Sequence, residues 1–200
     1  YDSCSVNDIA GNNNGLVDCG ESILLGVQLI NVGPDDAIDV EATLSTADSF
    51  VTVTENYESY GTIPGDYGTV YIPDAFAFDV AGTTPDGHNI IFELEVTGTA
   101  LDTWISNFTL MVHAPVLSFI SVEIDDATGN GNGILDPGET ADLVVTLENS
   151  GSALAQSVDG ALSEDDAFVS IIDGDGYFGD IAPDGGIGDN SGDVFVVSAD

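Results

Sequence analysis

Two stretches of the chain carry oxygen-bearing side chains at the spacing a hard cation needs. With Thr128 as the first position of a twelve-residue loop, Asn130 falls third, Asn132 fifth, Gly133 sixth, Ile134 seventh, Asp136 ninth and Glu139 twelfth. An EF-hand-type calcium loop takes side-chain oxygens at three, five and nine and a backbone carbonyl at seven. It places glycine at the sharp turn and closes on a bidentate Glu at twelve. Asn12, Asn14, Gly15, Leu16, Asp18 and Glu21 repeat the arrangement. The first position departs from it, being Thr128 in one copy and Ala10 in the other where an Asp is usual. Asp126 and Asp8, two residues upstream, can supply that carboxylate. Zinc would want imidazole or thiolate ligands, so the expected cofactor is Ca2+ in a structural role. Asn, Gly and Asp also build ordinary turns. Their recurrence at matching positions favours the cation.

The two loops belong to a tandem duplication. Asn12–Glu21 returns as Asn130–Glu139, 118 residues later, and about half of positions 12–33 are identical to their counterparts. Leu25, Val27, Leu29, Asn31 and Gly33 match Leu143, Val145, Leu147, Asn149 and Gly151. Within each copy apolar residues alternate, as in Ile23, Leu25, Val27 and Leu29, or Ile90, Phe92, Leu94 and Val96. Short period-two runs between Gly, Asp and Pro turns predict antiparallel strands and no helix. The expected fold is all-β: two immunoglobulin-like antiparallel β-sandwich modules over residues 1–114 and 115–200. Aligning Phe195–Asp200 with Phe76–Ala81 leaves the second module without counterparts of residues 82–114. It is therefore expected to be incomplete, with the natural chain continuing past Asp200 or a neighbouring chain donating strands to an open edge.

Composition narrows the setting. There are 36 Asp and Glu residues, no Lys or Arg, and a formal net charge of −36. Nucleic acid and anionic membranes need basic residues to bind them, so neither is an expected partner, and no apolar run is long enough to insert in a bilayer. Hydrophobic residues make up 43 % of the chain, enough for a folded core at this charge. A chain without trypsin-type cleavage sites suits an extracellular or cell-surface location. Cys4 and Cys19 are the only thiols. A disulfide between them would staple the incoming strand to the first loop, contributing about 3 kcal/mol. Two reduced thiols, or a bond to another chain, are the alternatives.

Catalysis has little support. His88 and His113 lie apart, with no nucleophile motif near either, and there is no Lys or Arg to bind phosphate or form a Schiff base. The chain is read as a non-enzyme. Trp104 is expected in the core of the last strand pair; with Tyr57, Tyr60, Tyr67 and Tyr71 it could instead form a sugar-binding platform. Asp173, Asp175, Asp180, Asp184, Asp189 and Asp193 are expected in solvated loops. Asn107-Phe108-Thr109 is a bare glycosylation sequon.

The run Asn130-Gly-Asn-Gly-Ile-Leu-Asp-Pro-Gly-Glu139, followed by Ala141-Asp-Leu-Val-Val-Thr-Leu-Glu-Asn-Ser-Gly151, resembles tandem immunoglobulin-like modules of secreted bacterial proteins. CARDB-like repeats of surface proteins, and the modules that follow extracellular peptidase domains, are similar. The first copy departs at Cys19, where the pattern has Pro. The resemblance implies an extracellular life among neighbouring modules. The expectation is a calcium-stabilised structural module of a filament, adhesin stalk or matrix, with self-assembly by strand addition as one route. An accessory region of a secreted peptidase or glycosidase, or a carbohydrate-binding module, is the alternative.

Overall fold

The computed structural model of the chain describes residues 1–99 and 103–200. It is all-β, with no helix among the described residues. The chain divides into two compact units, Tyr1–His113 and Ala114–Asp200.

Unit 1 contains β1 (Ser3–Asn7), β2 (Val17–Asp18), β3 (Ser22–Asn31), β4 (Ala37–Ser45) and β5 (Val51–Glu55). β6 (Tyr57–Ile63), β7 (Gly68–Val80), β8 (Asn89–Thr97) and β9 (Thr103–His113) follow. They form a four-stranded sheet, β1-β3-β7-β5, and a five-stranded sheet, β2-β9-β8-β4-β6. Alternation decides which side chains meet between the sheets. Leu25, Val27, Phe76 and Phe78 from the first and Val40, Leu44, Phe92 and Leu94 from the second are all buried. Phe78 of β7 lies 4.9 Å, centroid to centroid, from Phe92 of β8, so the two sheets touch at their inner faces. Phe92 stacks on Phe108 of β9, and Phe108 stacks on Tyr1 at 4.8 Å. This aromatic column makes the β8–β9 hairpin part of the core and not an appendage.

Unit 2 repeats the plan with fewer strands. It contains β10 (Leu117–Asp125), β11 (Thr140–Asn149), β12 (Ala155–Ala161), β13 (Val169–Asp173), β14 (Asp175–Ile181), β15 (Gly186–Asp189) and β16 (Phe195–Ala199). One sheet runs β10-β11-β16-β13, with β15 also on β11, and the other is the pair β12-β14. Pairing registers make the equivalence residue by residue: Leu25 faces Phe76 as Leu143 faces Phe195. The single long β7 becomes β15 and β16 because Asn190 interrupts it. Asn190 is fully buried, accepting from the Val145 N–H at 2.6 Å and donating to the Leu143 carbonyl at 3.4 Å, so its side chain stands in for a ladder bond.

No strand among the described residues of unit 2 corresponds to β2, β8 or β9. The consequence is visible position by position. Leu25, Val27 and Leu29 are at most 2 % exposed, whereas Leu143, Val145 and Leu147 are only partly buried. Phe119, the counterpart of Tyr1, has no Phe108 to stack on and is 62 % exposed. The buried cluster of unit 2 reduces to Ala155, Phe178, Ile181 and Phe195.

A polar pin also crosses unit 1. His88, just before β8, contacts Asp48, just before β5, with 2.7 Å between Nε2 and Oδ2, and Phe50 packs edge-on against the imidazole. Burial alone would raise the Asp48 carboxyl, but the Phe50 N–H and the His88 ring hold it below the ordinary carboxylate range.

Calorimetry of the chain should show two transitions, the lower one belonging to unit 2. Leu94→Ala should cost about 2–5 kcal/mol in the upper transition alone, the range for emptying a packed core site. The Asp48 pKa is depressed on folding, so its contribution is present above the unfolded-state value and lost as pH falls through the folded one. Asp48→Asn should therefore cost about 1.5–3 kcal/mol at neutral pH, the range for hydrogen bonds to a charged group. The gap from wild type should close below the usual carboxylate range, as followed by denaturant melts across pH.

Candidate metal centres

Each loop is built by carboxylates and amides folding the backbone around themselves. Asp8 is 2 % exposed; its Oδ2 accepts from the Asn14 N–H at 2.7 Å, and both its oxygens accept from the Gly15 N–H at 3.2 Å. Asp126 does the same for Asn132 and Gly133, each at 3.0 Å. The Gly133 N–H, then that of Asn132, hold the Asp126 carboxyl below its usual range against the opposing effect of burial. Gly15 and Gly133 have φ of 81° and 77°, the left-handed conformation the sharp turn requires and a side chain disfavours.

The remaining donors converge in both copies. Asn12 and Asn14 donate their side-chain amides to Asp18 Oδ2 at 2.6 and 2.9 Å. Asn130 and Asn132 do so to Asp136 Oδ2 at 2.8 and 2.9 Å. Glu21 Oε1 accepts from the Asn12 N–H, and Glu139 Oε1 from the Asn130 N–H. A Cβ on Gly11 would overlap the Glu21 carboxylate, and one on Gly129 would crowd that of Glu139. Glycine at these positions lets the closing Glu lie across the loop. Sequence reasoning passed over both, because only the folded loop shows what a methyl group would strike.

The loops differ in one respect. Asp18 Oδ1 and Glu21 Oε2 are buried and accept no hydrogen bond among the described residues. In the second loop Glu139 Oε2 accepts from the Asp136 N–H at 3.3 Å. Buried carboxylate oxygens without a donor are costly unless a cation faces them. Among the described residues no three carboxylate, imidazole or thiol groups cluster as a metal site. The first loop concentrates two carboxylates, Asp18 and Glu21. A six- to eight-oxygen Ca2+ shell would also need the Leu16 carbonyl, water and the Asn12 and Asn14 amide oxygens, which accept here from the Asn14 and Leu16 N–H groups. Asn130, Asn132, Ile134, Asp136 and Glu139 offer the same set in the second loop.

The bond expected between Cys4 and Cys19 is absent from the structure, where both are free thiols. Cys4 sits on β1, and Cys19 follows β2 of the opposite sheet. The Tyr1 hydroxyl donates to Cys4 Sγ at 3.3 Å. Burial, and then the Asp18 and Glu21 carboxylates, push the Cys19 thiol up. The thiolate is the reactive form, so this setting disfavours oxidation.

The other singled-out residues stay apart. Trp104 is 49 % exposed instead of in the core, beside a cavity of about 300 Å³ with Asn31, Asp35 and Asp36. Tyr60 is buried and donates to the Val27 carbonyl, while Tyr71 and Tyr67 belong to the other sheet and to a turn. Tyr57 is on β6, the far edge of the sheet that holds Trp104. The aromatic residues therefore make no single platform. Asn107 is exposed on β9. Of the acidic residues expected in loops, Asp173, Asp175, Asp180 and Asp189 instead lie on β13, β14 and β15, and Asp173, Asp180 and Asp189 accept from the N–H groups of Asp175, Ser157 and Ser191.

No protein-family model matches the chain, and no curated protein does. Among solved structures it is similar to the YadV chaperone, at 12 % identity and a TM-score of 0.28, over 90 % of this chain and 77 % of that one. The Pseudomonas aeruginosa CupB2 chaperone matches at 11 % and 0.27, over 82 % of this chain and 78 % of its own. The secreted serine protease VesC from Vibrio cholerae matches at 14 % and 0.30, over 98 % of this chain and 45 % of that one. Likeness at these scores carries no functional argument.

The capping role of Asp8 is separable from cation binding. Asp8→Ala should cost about 0.5–1.5 kcal/mol in chelator as well as in calcium, since the Asn14 and Gly15 N–H groups lose the carboxylate that holds the turn. Denaturant melts under both conditions check this.

Proposed function

We propose that this chain is a non-catalytic structural segment of an extracellular filament, adhesin stalk or matrix, made of tandem immunoglobulin-like modules stabilised by Ca2+. The observation that carries the reading is the duplicated loop, whose first copy buries Asp18 Oδ1 and Glu21 Oε2 without a donor. The absence of Lys and Arg supports it, because no side-chain cation other than a protonated His can neutralise these carboxylates from within the chain. Partners on this reading are neighbouring modules of the same or adjacent chains. The edge of β12 favours strand addition as one mode of contact: β4, its counterpart, pairs on one side with β6 and on the other with β8, whereas among the described residues β12 pairs with β14 alone. A net charge of −36 disfavours nucleic acid and anionic lipid as partners.

Calcium at millimolar concentration should raise the melting temperature by several degrees or more. Glu21→Gln combined with Glu139→Gln should remove the rise. Magnesium should substitute poorly, because it holds a tighter octahedral shell. An identical melting curve in calcium and in chelator would sink the cation assignment.

A further inference from the structure

The two loops share a ligand set but not a position in the fold, and the difference assigns them different tasks. Resting on the cation reading above, we propose that the first loop is a clamp between the two sheets of unit 1, whereas the second is a weaker site confined to a single sheet of unit 2. Asp18 belongs to β2, which pairs in parallel with β9 at Val112 and His113 in the five-stranded sheet. Glu21 immediately precedes β3 of the four-stranded sheet. Between them the backbone changes sheets: the Cys19 N–H donates to the His113 carbonyl at 2.9 Å, and the Gly20 N–H to the Val80 carbonyl of β7 at 3.1 Å. A cation bound by Asp18 and Glu21 therefore bonds one ligand on each sheet at the point where the chain crosses.

Two unpartnered oxygens lie at that crossing. Glu21 Oε2 lacks the N–H that its counterpart on Glu139 receives from Asp136. Asp18 is 5 % exposed, and its other oxygen already takes the Asn12 and Asn14 amides inside the loop. The first loop thus holds two buried oxygens that a cation would satisfy. Leu135 and Asp136 pair with no strand among the described residues, and Asp136 is only partly buried. A cation there gains less from desolvated ligands and, with the Gly138 and Glu139 backbone bonded only to Ala199 of β16 beside β11, bridges no second sheet.

The test uses the 200-residue chain stripped with chelator and titrated with calcium chloride in a calorimeter, with amide hydrogen exchange measured at the end points. Two binding classes at least tenfold apart are expected, the tighter removed by Glu21→Gln and the weaker by Glu139→Gln. Calcium should raise protection of the Cys19 and Gly20 amides at least tenfold, and leave that of the Gly138 amide, which donates to Ala199, nearly unchanged. Gly11→Ala keeps every charge and displaces the Glu21 carboxylate, so it should abolish the tight class should Glu21→Gln fail to fold. Binding with two equal affinities, or equal protection at Gly20 and Gly138, would overturn the clamp while leaving the cation reading intact. No binding of calcium at all would overturn both.

Discussion

With 36 carboxylates and no Lys or Arg, the fold has to find partners for negative charge among backbone N–H groups. Strand ladders use most of those groups, and the ones left over lie in turns. Asp8, Asp36, Asp48, Asp125, Asp126, Asp166, Asp180 and Asp189 each accept from a turn or strand-end N–H. The acidic residues are thus the fastenings of the turns as well as the source of the charge. The arrangement uses the preference of Asp for local backbone contacts, which needs no cationic side chain. It also exposes the chain to self-repulsion, which salt and divalent cations relieve.

Against that repulsion the core has to supply the attraction, and it is unevenly shared. In unit 1 the β8–β9 hairpin adds Ile90, Phe92, Leu94, Phe108 and Val112 to the interior, and through Phe92 and Phe108 it links β7 to Tyr1. Each such side chain contributes about 1.5–3 kcal/mol on burial. Unit 2 has the same β10–β11 framework beneath its counterpart surface but no layer over half of it. Leu143, Val145 and Leu147 are as apolar as their counterparts and differ only in what covers them. Burial of the first sheet's face thus depends on the second sheet that covers it, not on the first sheet's own sequence.

Much of this was legible beforehand. Period-two alternation and the duplicated loop placed the strands and the all-β class, because both depend on side-chain spacing alone. The equivalence of Phe195 with Phe76 was also readable, and the pairing of each with a matching Leu shows why: the strand face fixes which residue can fill that slot. Trp104 was not. A large aromatic on a strand is expected inside, and Trp104 shares the phase of Phe108 and Val112, yet near the start of β9 it borders an open cavity and stays 49 % exposed. The Asp8 contacts with Asn14 and Gly15 were half legible: the conserved spacing of the two copies marked the residue, and only the folded loop shows that its oxygens go to N–H groups.

The loop and the core are parts of one problem in unit 1. A sandwich whose sheets are joined by loops alone can slide or open at its ends, and the end nearest the first loop is where β2 crosses from one sheet to the other. Val17, on β2, is buried in the core cluster, while Asp18 beside it turns a carboxylate to the loop. The same two-residue strand therefore anchors apolar packing with one residue and charge with the next, a direct use of strand alternation. Where no counterpart of β9 is present among the described residues, as in unit 2, the loop keeps its internal hydrogen bonds and its tie to Ala199 of β16 but has no second sheet to hold. The ligand pattern in the sequence is the same in both copies. On the clamp proposal, the neighbouring strand decides whether a cation held there would steady one sheet or a sandwich.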